Sequence, residues 1–507
     1  MLMSTCSRNV VTSQVWNEST KPNQPGGVFT SPLFAAAVTA AVIFFIVGGT
    51  FAAEPAINKQ SAAGQPARIV LTLDQAINLA LQTNRNIANS QYGAESQRYS
   101  IDAARAVFDL KLIPTTDVSL TGGNNTDYRY FSAGFQLQKK LEYGTSVSIG
   151  PQITGASQQS MQQYTTDMGV TVTQPLLRGM GKDITTDSVQ SADSAYKTSL
   201  RNVYQTKVNT VLETISAFYD AVRQEEMLRL YEKMGGRLKG HSEIARAKEK
   251  VGLATPMDTY RAEIPLKEAE DAMITASAAF QDAKDRLKLI LALPQNTELE
   301  VTVPEAPVFR ELSLDDAIDT ALKKRIEIEQ MNHDLAEAER KAAVMKHNIL
   351  PELNLVVGYG RYATAETMGK STGVDLDRYS VSLQAGTDIF RTAEKAAYQQ
   401  SLINIKTLSL DMQSKMEDIS RQVRKQWLSL KEAVKRMEIR KSQIKQGEEK
   451  IALAEVKFAH GMADNFDVIE AEKELQSARG NLLAAEIEYA SGIYNMKAIM
   501  GILVPRN

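Results

Sequence analysis

Few side chains of this 507-residue chain could do covalent or metal chemistry, and their spacing argues against both. The one cysteine is Cys6, so a chain processed beyond it has no disulfide, no thiolate zinc site and no cysteine nucleophile. The four histidines, His241, His333, His347 and His460, share no ligand spacing and read as helix-surface residues. No phosphate-cradling glycine loop, dinucleotide fingerprint or Gly-x-Ser-x-Gly turn occurs. The methionines are scattered in the way core filling produces. No metal, no cofactor and no enzymatic activity are expected. The polar side chains that do show a definite spacing serve the backbone. Thr255-Pro256-Met257-Asp258 sets a hydroxyl, a proline and a carboxylate in the order that starts a helix, and Asp464 with Asp467 repeats the spacing. Gly252 and Gly461 stand just before them, where a left-handed residue would end the preceding helix.

The elements that these ends must join are long. No proline lies between Leu176 and Thr255 or between Glu352 and Val504. Residues 182–250 and 393–460 are rich in Ala, Leu, Lys, Glu, Gln and Arg, all good helix formers. Each run would make a helix of about 100 Å at 1.5 Å per residue. A helix of that length needs partners along it, so two coiled-coil hairpins with sharp tips are expected. Pro265, inside the return arm of the first hairpin, would either kink that arm or break it locally.

The order of elements occurs twice. Leu71-Thr-Leu-Asp-Gln-Ala-Ile-Asn-Leu-Ala-Leu81 returns 241 positions later as Leu312-Ser-Leu-Asp-Asp-Ala-Ile-Asp-Thr-Ala-Leu322. Val251-Gly-Leu-Ala-Thr-Pro-Met-Asp258 returns 209 positions later as His460-Gly-Met-Ala-Asp-Asn-Phe-Asp467, followed by Ala262-Glu263 against Ala471-Glu472. Two matches in the same order indicate a duplication, with repeats at 71–311 and 312–507. Each repeat reads helix, strands, long helix, turn, helix. The opening helices are expected to run unbroken over 73–112 and 314–349, ended by Pro114 and Pro351.

Between the helices the apolar period falls to two. Tyr379, Val381, Leu383 and Ala385 alternate with Ser380, Ser382 and Gln384. Leu353, Leu355, Val357 and Tyr359 behave likewise, as do Val118, Leu120, Phe135, Leu137, Val170 and Val172 in the first repeat. One apolar and one polar face suit either a soluble sandwich or a barrel with lipid outside and water inside. The aromatics Tyr128, Tyr130, Phe131, Tyr359, Tyr362, Tyr379 and Phe390 favour the barrel, because such rings gather at membrane interfaces. The first strand region spans 115–174 against 351–390 in the second, and a hairpin around Tyr143-Gly144 implies extra strands whose placement is open.

The N-terminus reads as an export leader over residues 1–53, followed by a linker over 54–70. Arg8 and Lys21 precede an uncharged core, Leu33–Val47, and small residues end at Ala52-Ala53. Beyond it no apolar stretch approaches the roughly 20 residues of a membrane helix. A membrane role would therefore use strands. The 58 Lys and Arg against 60 Asp and Glu give no basic surplus for nucleic acid.

Taken together, the duplicated Leu-x-Leu-x-x-Ala-Ile-x-x-Ala-Leu openings, Gln174-Pro-Leu-Leu-Arg-Gly179 and the two tips, Gly252 to Asp258 and Gly461 to Asp467, resemble the TolC-type outer-membrane efflux protein family over about residues 71–502. The resemblance implies an α+β, mainly α, fold. Long helical hairpins of a homotrimer would form an α-barrel tunnel, and strands from three chains one β-barrel in outer-membrane lipid. It implies the outer-membrane channel of a tripartite efflux or type I secretion system, meeting a periplasmic adaptor and an inner-membrane transporter. Gly252, Leu253, Thr255, Asp258, Gly461 and Met462 would be the tips that dock the adaptor. Asp467 and Glu470 would line a periplasmic gate, with Phe458 as its aromatic. Asp467 has a second reading as a helix cap, whereas Glu470 does not. Ala463 stands where relatives carry an arginine, so a different latch is expected. The competing function is a periplasmic coiled-coil adaptor or scaffold with a soluble β domain.

Overall fold

Each proline-free run contains one of the two longest helices among the described residues. The structure is a computed structural model that describes residues 68–123, 126–158, 161–304, 313–386, 388–460 and 462–506. The leader, nearly all of the linker, and Gly461 lie outside the described residues.

In the first repeat, strand β1 (Arg68–Leu71) leads into α1 (Leu73–Thr83) and α2 (Arg85–Arg105). Four strands follow: β2 (Lys111–Gly123), β3 (Thr126–Lys140), β4 (Ser146–Gln158) and β5 (Met161–Pro175). A single helical turn, α3 (Lys182–Thr185), precedes the rod α4 (Asp187–Lys250) and its return arm α5 (Pro256–Ile290). Strand β6 (Glu298–Val301) comes next. The second repeat supplies α6 (Leu314–Lys324), α7 (Ile326–Asn348), β7 (Glu352–Ala365), a short α8 (Met368–Ser371) and β8 (Leu376–Gly386). It ends with the rod α9 (Thr392–Ala459) and the arm α10 (Asn465–Ile499). The class is α+β and mainly α.

Length dictates the packing. The rods hold 64 and 68 residues, about 96 and 102 Å at the α-helical rise, while each return arm holds 35, about 52 Å. An arm therefore covers only the tip half of its rod. The opening helices cover the rest: α2 lies along α4, and α7 along α9. Where arm and opening helix meet, β1 pairs in parallel with β6, from Arg68 opposite Glu298 to Leu71 opposite Val301.

The main core sits at that middle level. Ala76 and Ala80 of α1 are fully buried against Val211, Ile215 and Phe218 of α4, with Leu287 and Leu291 completing the cluster. In the second repeat Ala317 and Ala321 of α6 are equally buried, against Ile419 and Val423 of α9 and Met496 of α10. The repeated Ala-Ile-x-x-Ala spacing thus puts two methyl-sized side chains on one helix face, and these let the opening helix lie close to the rod.

Two expectations need correction and a third is narrowed. The opening helices are not continuous: Asn84 and Arg325 leave helical geometry, with ψ 129° and 133°. Asn84 restarts the helix by accepting from Asn86 N and Ile87 N, and its Nδ2 donates to the Ile290 carbonyl at 2.8 Å. Neither position is Gly or Pro, so no breaker residue marked the break. Pro114 ends no helix. The helix is over by Arg105, one 3₁₀ turn follows at Ala106–Phe108, and Pro114 lies inside β2. Of the two outcomes named for Pro265, the local break does not occur, since α5 runs on through it with the ring buried.

Candidate functional site

The strands form one sheet in the order β2-β3-β4-β5-β7-β8, and every neighbouring pair is antiparallel. The β5–β7 pair joins the two repeats, from Tyr164 opposite Ala365 to Pro175 opposite Asn354. Antiparallel partners share a face, so the register carries each face across the sheet. Leu137, Ile149, Val170, Tyr359 and Tyr379 form one continuous row. On the opposite face Gln138, Ser148, Thr171, Gly358 and Ser380 form another. The apolar face is bare: Tyr379 is 85% exposed, Val381 70% and Leu120 65%. Strands of 11 to 15 residues are long enough to cross the hydrocarbon layer when tilted, which takes about 9–11. Among the described residues no helix is long and apolar enough to cross a membrane.

The aromatics divide between the faces, which corrects their reading as one interfacial set. Phe131, Tyr359 and Tyr379 are apolar-side, whereas Tyr128, Tyr130 and Tyr362 are polar-side by the register. Among the described residues two ion pairs lie on the sheet, one on each face. On the polar side Arg378 binds Asp167 and lies over the Tyr362 ring. On the apolar side Arg361 meets Asp377 at 3.2 Å.

The sheet passes into the rods through two different junctions. In the first, Gly179 and Gly181 take φ of 84° and 107°, as glycine permits. In the second, Arg391 holds the left-handed region at φ 50° and donates Nη1 to the Ile349 carbonyl at 2.9 Å. Beyond the first junction Arg340 of α7 reaches Asp187 of α4 at 2.6 Å while also holding Glu337. Those hydrogen bonds pull the Glu337 carboxyl below its ordinary range and raise the guanidinium further.

At the far ends of the rods the hairpin tips close as their spacing requires. Gly252, at φ 73°, lets Gly252 N reach the Glu249 carbonyl and Leu253 N the Lys248 carbonyl, a Schellman ending. Thr255 caps α5, and its N–H donates to Asp258 at 2.9 Å in return. Hydrogen bonds from the Thr255 backbone and side chain hold the Asp258 carboxyl below its usual range. In the second tip Met462 N donates to the Lys457 carbonyl at 2.8 Å, and Asp464 caps α10 through Phe466 N and Asp467 N. Asp467 completes that capping box by accepting from Asp464 N. Leu253 is 78% exposed and Met462 70%. Both tips thus present a bare apolar side chain immediately after the rod ends.

Glu470 is exposed one turn after Asp467, and Lys450 of α9 meets Glu474 at 2.6 Å on the same side. Phe458 is half-buried beside Val468 and Ala471, with Lys248 Nζ of the first hairpin 4.0 Å above its ring. It therefore sits in the seam between hairpins. That seam also holds groups to which the sequence assigned no site role, among them His241, expected on a helix surface and found half-buried. Glu472 is 3% exposed and accepts from Arg237 at 2.7 Å, and Lys473 meets Glu268 at 2.7 Å. His241 lies in the same seam, where burial lowers its pKa against the smaller opposing influence of Glu455 and Glu472. The repeat had marked Glu472 as the counterpart of Glu263. What could not be read was that Glu263 pairs inside its own hairpin, with Arg246 at 2.6 Å, while Glu472 reaches across.

Residues 76–293 and 317–501 match the family described as outer membrane efflux protein. No curated protein sequence matches the chain. Several solved structures share its fold. CusC is similar with a TM-score of 0.67 at 13% identity, over 89% of this chain and 98% of its own. The CmeC outer membrane channel of Campylobacter jejuni gives 0.66 at 13%, over 85% and 86%. The MtrE outer membrane channel of Neisseria gonorrhoeae, in its open state, gives 0.62 at 17%, over 85% and 89%.

Proposed function

The chain belongs to the outer membrane efflux protein family, and from that premise we propose how its parts make it the outer-membrane channel of a tripartite efflux system. Its strands lie in the outer membrane and its rods extend into the periplasm. Three copies assemble around one axis. Their sheets close a barrel, and their hairpins pack side by side into a tunnel that continues the same bore. The chain is a conduit and supplies no energy.

One observation carries this reading above all: the sheet has a bare apolar face, a polar face and unpaired strands at both ends. In hydrocarbon an open strand edge leaves N–H and C=O groups without partners, at several kcal/mol each. A single chain cannot satisfy them, whereas further copies can. A periplasmic adaptor or scaffold with a soluble β domain would need that apolar face covered, and among the described residues only the short α8 lies against β5 and β7. Ile403, Leu410, Ile439 and Leu453 of α9 are likewise exposed along the rod, as helices are that complete their packing in an assembly.

The reading extends to the tips. Gly252, Thr255 and Asp258 hold one sharp turn and Asp464 with Asp467 the other, and the turns aim Leu253 and Met462 outward, toward a periplasmic adaptor that links to an inner-membrane transporter. Asp467 and Glu470 line the narrow end, where rings of carboxylates would favour cations. Phe458, clamped under Lys248, latches the second hairpin to the first in place of an arginine network. Residues 1–53 act as the export leader, 54–70 as a linker, and 71–311 and 312–507 as the two structural repeats.

Planar-bilayer recording of the detergent-purified protein tests the core of the proposal. Discrete, cation-favouring conductance steps are expected, with the preference weakened in Asp467→Asn and Glu470→Gln. A protein that leaves the membrane without detergent and gives no steps would refute it.

A further inference from the structure

Taking the trimeric channel as given, we propose that its membrane barrel has eighteen strands, closed by pairing β2 of each copy with β8 of the next, and so has a wider bore than a barrel built from two strands per repeat. The count starts from the duplication. The second repeat gives the sheet two strands, β7 and β8, while the first gives four. Had both repeats given two, three copies would make twelve.

The additional hairpin belongs to the same sheet. It is bonded on both sides: β3 pairs with β2 from Lys111 opposite Gln138 to Gly123 opposite Thr126, and β4 pairs with β5 over its whole length. Its apolar side continues the lipid face, since Val118, Phe131, Gly155 and Tyr164 lie in one register row, with Val118 half exposed. Its turn is built into the sheet-to-rod junction. Glu142 binds Lys182 at 2.8 Å, Gly181 N donates to the Tyr143 carbonyl, and Thr145 Oγ1 donates to Gln174. A side chain at Gly144 would meet the Gly179 carbonyl oxygen at 2.5 Å. A hairpin packed elsewhere would need none of these contacts.

Direction closes the ring. The six strands alternate from β2 to β8, so the first and last run opposite ways. Copies placed side by side continue the antiparallel order without a break, and the total is even, as a closed antiparallel barrel requires. Barrel diameter grows roughly linearly with strand number, so eighteen strands give a bore about half again as wide as twelve, with roughly twice the cross-section. The polar face that lines it carries hydroxyls and amides, Thr115, Ser119, Gln152, Thr171, Ser382 and Gln384 by the register, together with charged groups that include Asp117, Asp167 and Arg378. Its Asp167 and Arg378 neutralise each other.

The seam can be trapped by disulfides. With Cys6 replaced, engineered cysteines are the only ones in the chain. T115C, D117C or S119C on β2 would be combined in single chains with S380C, S382C or Q384C on β8, all on the polar face. The double variant T165C/T364C, whose parent hydroxyls lie 3.2 Å apart within one chain, sets the attainable yield. Native mass measurement establishes for each variant whether trimers are present. The expected result is trimers in which at least one combination gives covalent dimers and trimers on oxidation, at a yield like that of the intrachain pair. Trimers with no β2–β8 cross-link in any combination would overturn the eighteen-strand barrel and leave the channel reading standing. The absence of trimers in the wild-type protein would overturn both.

Discussion

The two repeats share their rods and differ at both ends of them. Each places two fully buried alanines against a rod, ends the rod in a 6→1 hydrogen bond and starts the return arm with a capping box. At the membrane end one repeat supplies four strands and leaves through two glycines, while the other supplies two and leaves through Arg391. At the tips one arm begins Thr255-Pro256, whereas the other carries Asp467, Glu470 and Glu474. The middle is where a side chain must fit four helices at once, and the tolerance of close packing for change is small. The ends face lipid, water or partners, where strands can be added and charges altered without disturbing the rod.

If this is right, the middle should be the most costly place to disturb. Phe218 is completely buried in the first core, and Ile419 is completely buried in the second. Phe218→Ala should cost about 3–5 kcal/mol and Ile419→Val about 0.5–1.5 kcal/mol. Denaturant titration of the detergent-solubilised protein would measure both. Similar small costs would mean the middle is no more constrained than the ends.

Next in size is the junction that only the first repeat has. Gly144 has φ 98° and no room for a side chain. Gly144→Val should destabilise by about 1–3 kcal/mol through backbone strain. It should also free the 141–145 turn for protease cleavage. Cleavage unchanged from wild type would show that the turn is not anchored to the junction.

The tips should respond alike. Thr255→Ala and Asp464→Ala each remove a cap and should cost about 1 kcal/mol. The loss should be local, seen as faster hydrogen exchange at Asp258 N in one variant and at Phe466 N and Asp467 N in the other. A loss confined to one tip would break the equivalence of the repeats.

What could be read beforehand follows the same division. The rods, tips and strands were legible because each leaves a periodic or capping signal: proline-free runs, Thr255 with Asp258, Val381 and Leu383 against Ser380 and Ser382. The breaks at Asn84 and Arg325 were not, because Asn84 is held there by the Ile290 carbonyl, 206 residues away. The seam was hidden for a related reason. Arg237, Glu472 and the Lys248–Phe458 contact belong to different hairpins, and no local pattern reports which hairpin a charge will face.

The finest distinction lies at two positions related by the 209-residue offset: His241 on α4, in that seam, and Lys450 on α9, which pairs with Glu474 inside its own hairpin. His241 is half-buried among Arg237 of its own rod, Glu455 of α9 and Glu472 of α10, and burial lowers its pKa below the ordinary 6.5. The unfolded chain therefore takes up the proton first as pH falls. Stability from the neutral imidazole is complete above 6.5 and declines below it. Lys450 is exposed, and its hydrogen bond to Glu474 raises its pKa above the ordinary 10.5. Its contribution is complete below 10.5 and is lost as pH rises past that value. One position thus makes its hairpin sensitive to acid and the other to alkali. In melting profiles against pH, His241→Gln should flatten only the acid side, below 6.5, and Lys450→Met only the alkaline side, above 10.5. Both shifts should be smaller than the cap losses, because neither group is deeply buried and solvent screens the exposed one. An acid decline that persists undiminished in His241→Gln would place the sensitive group elsewhere in the seam, with the carboxylates that meet there.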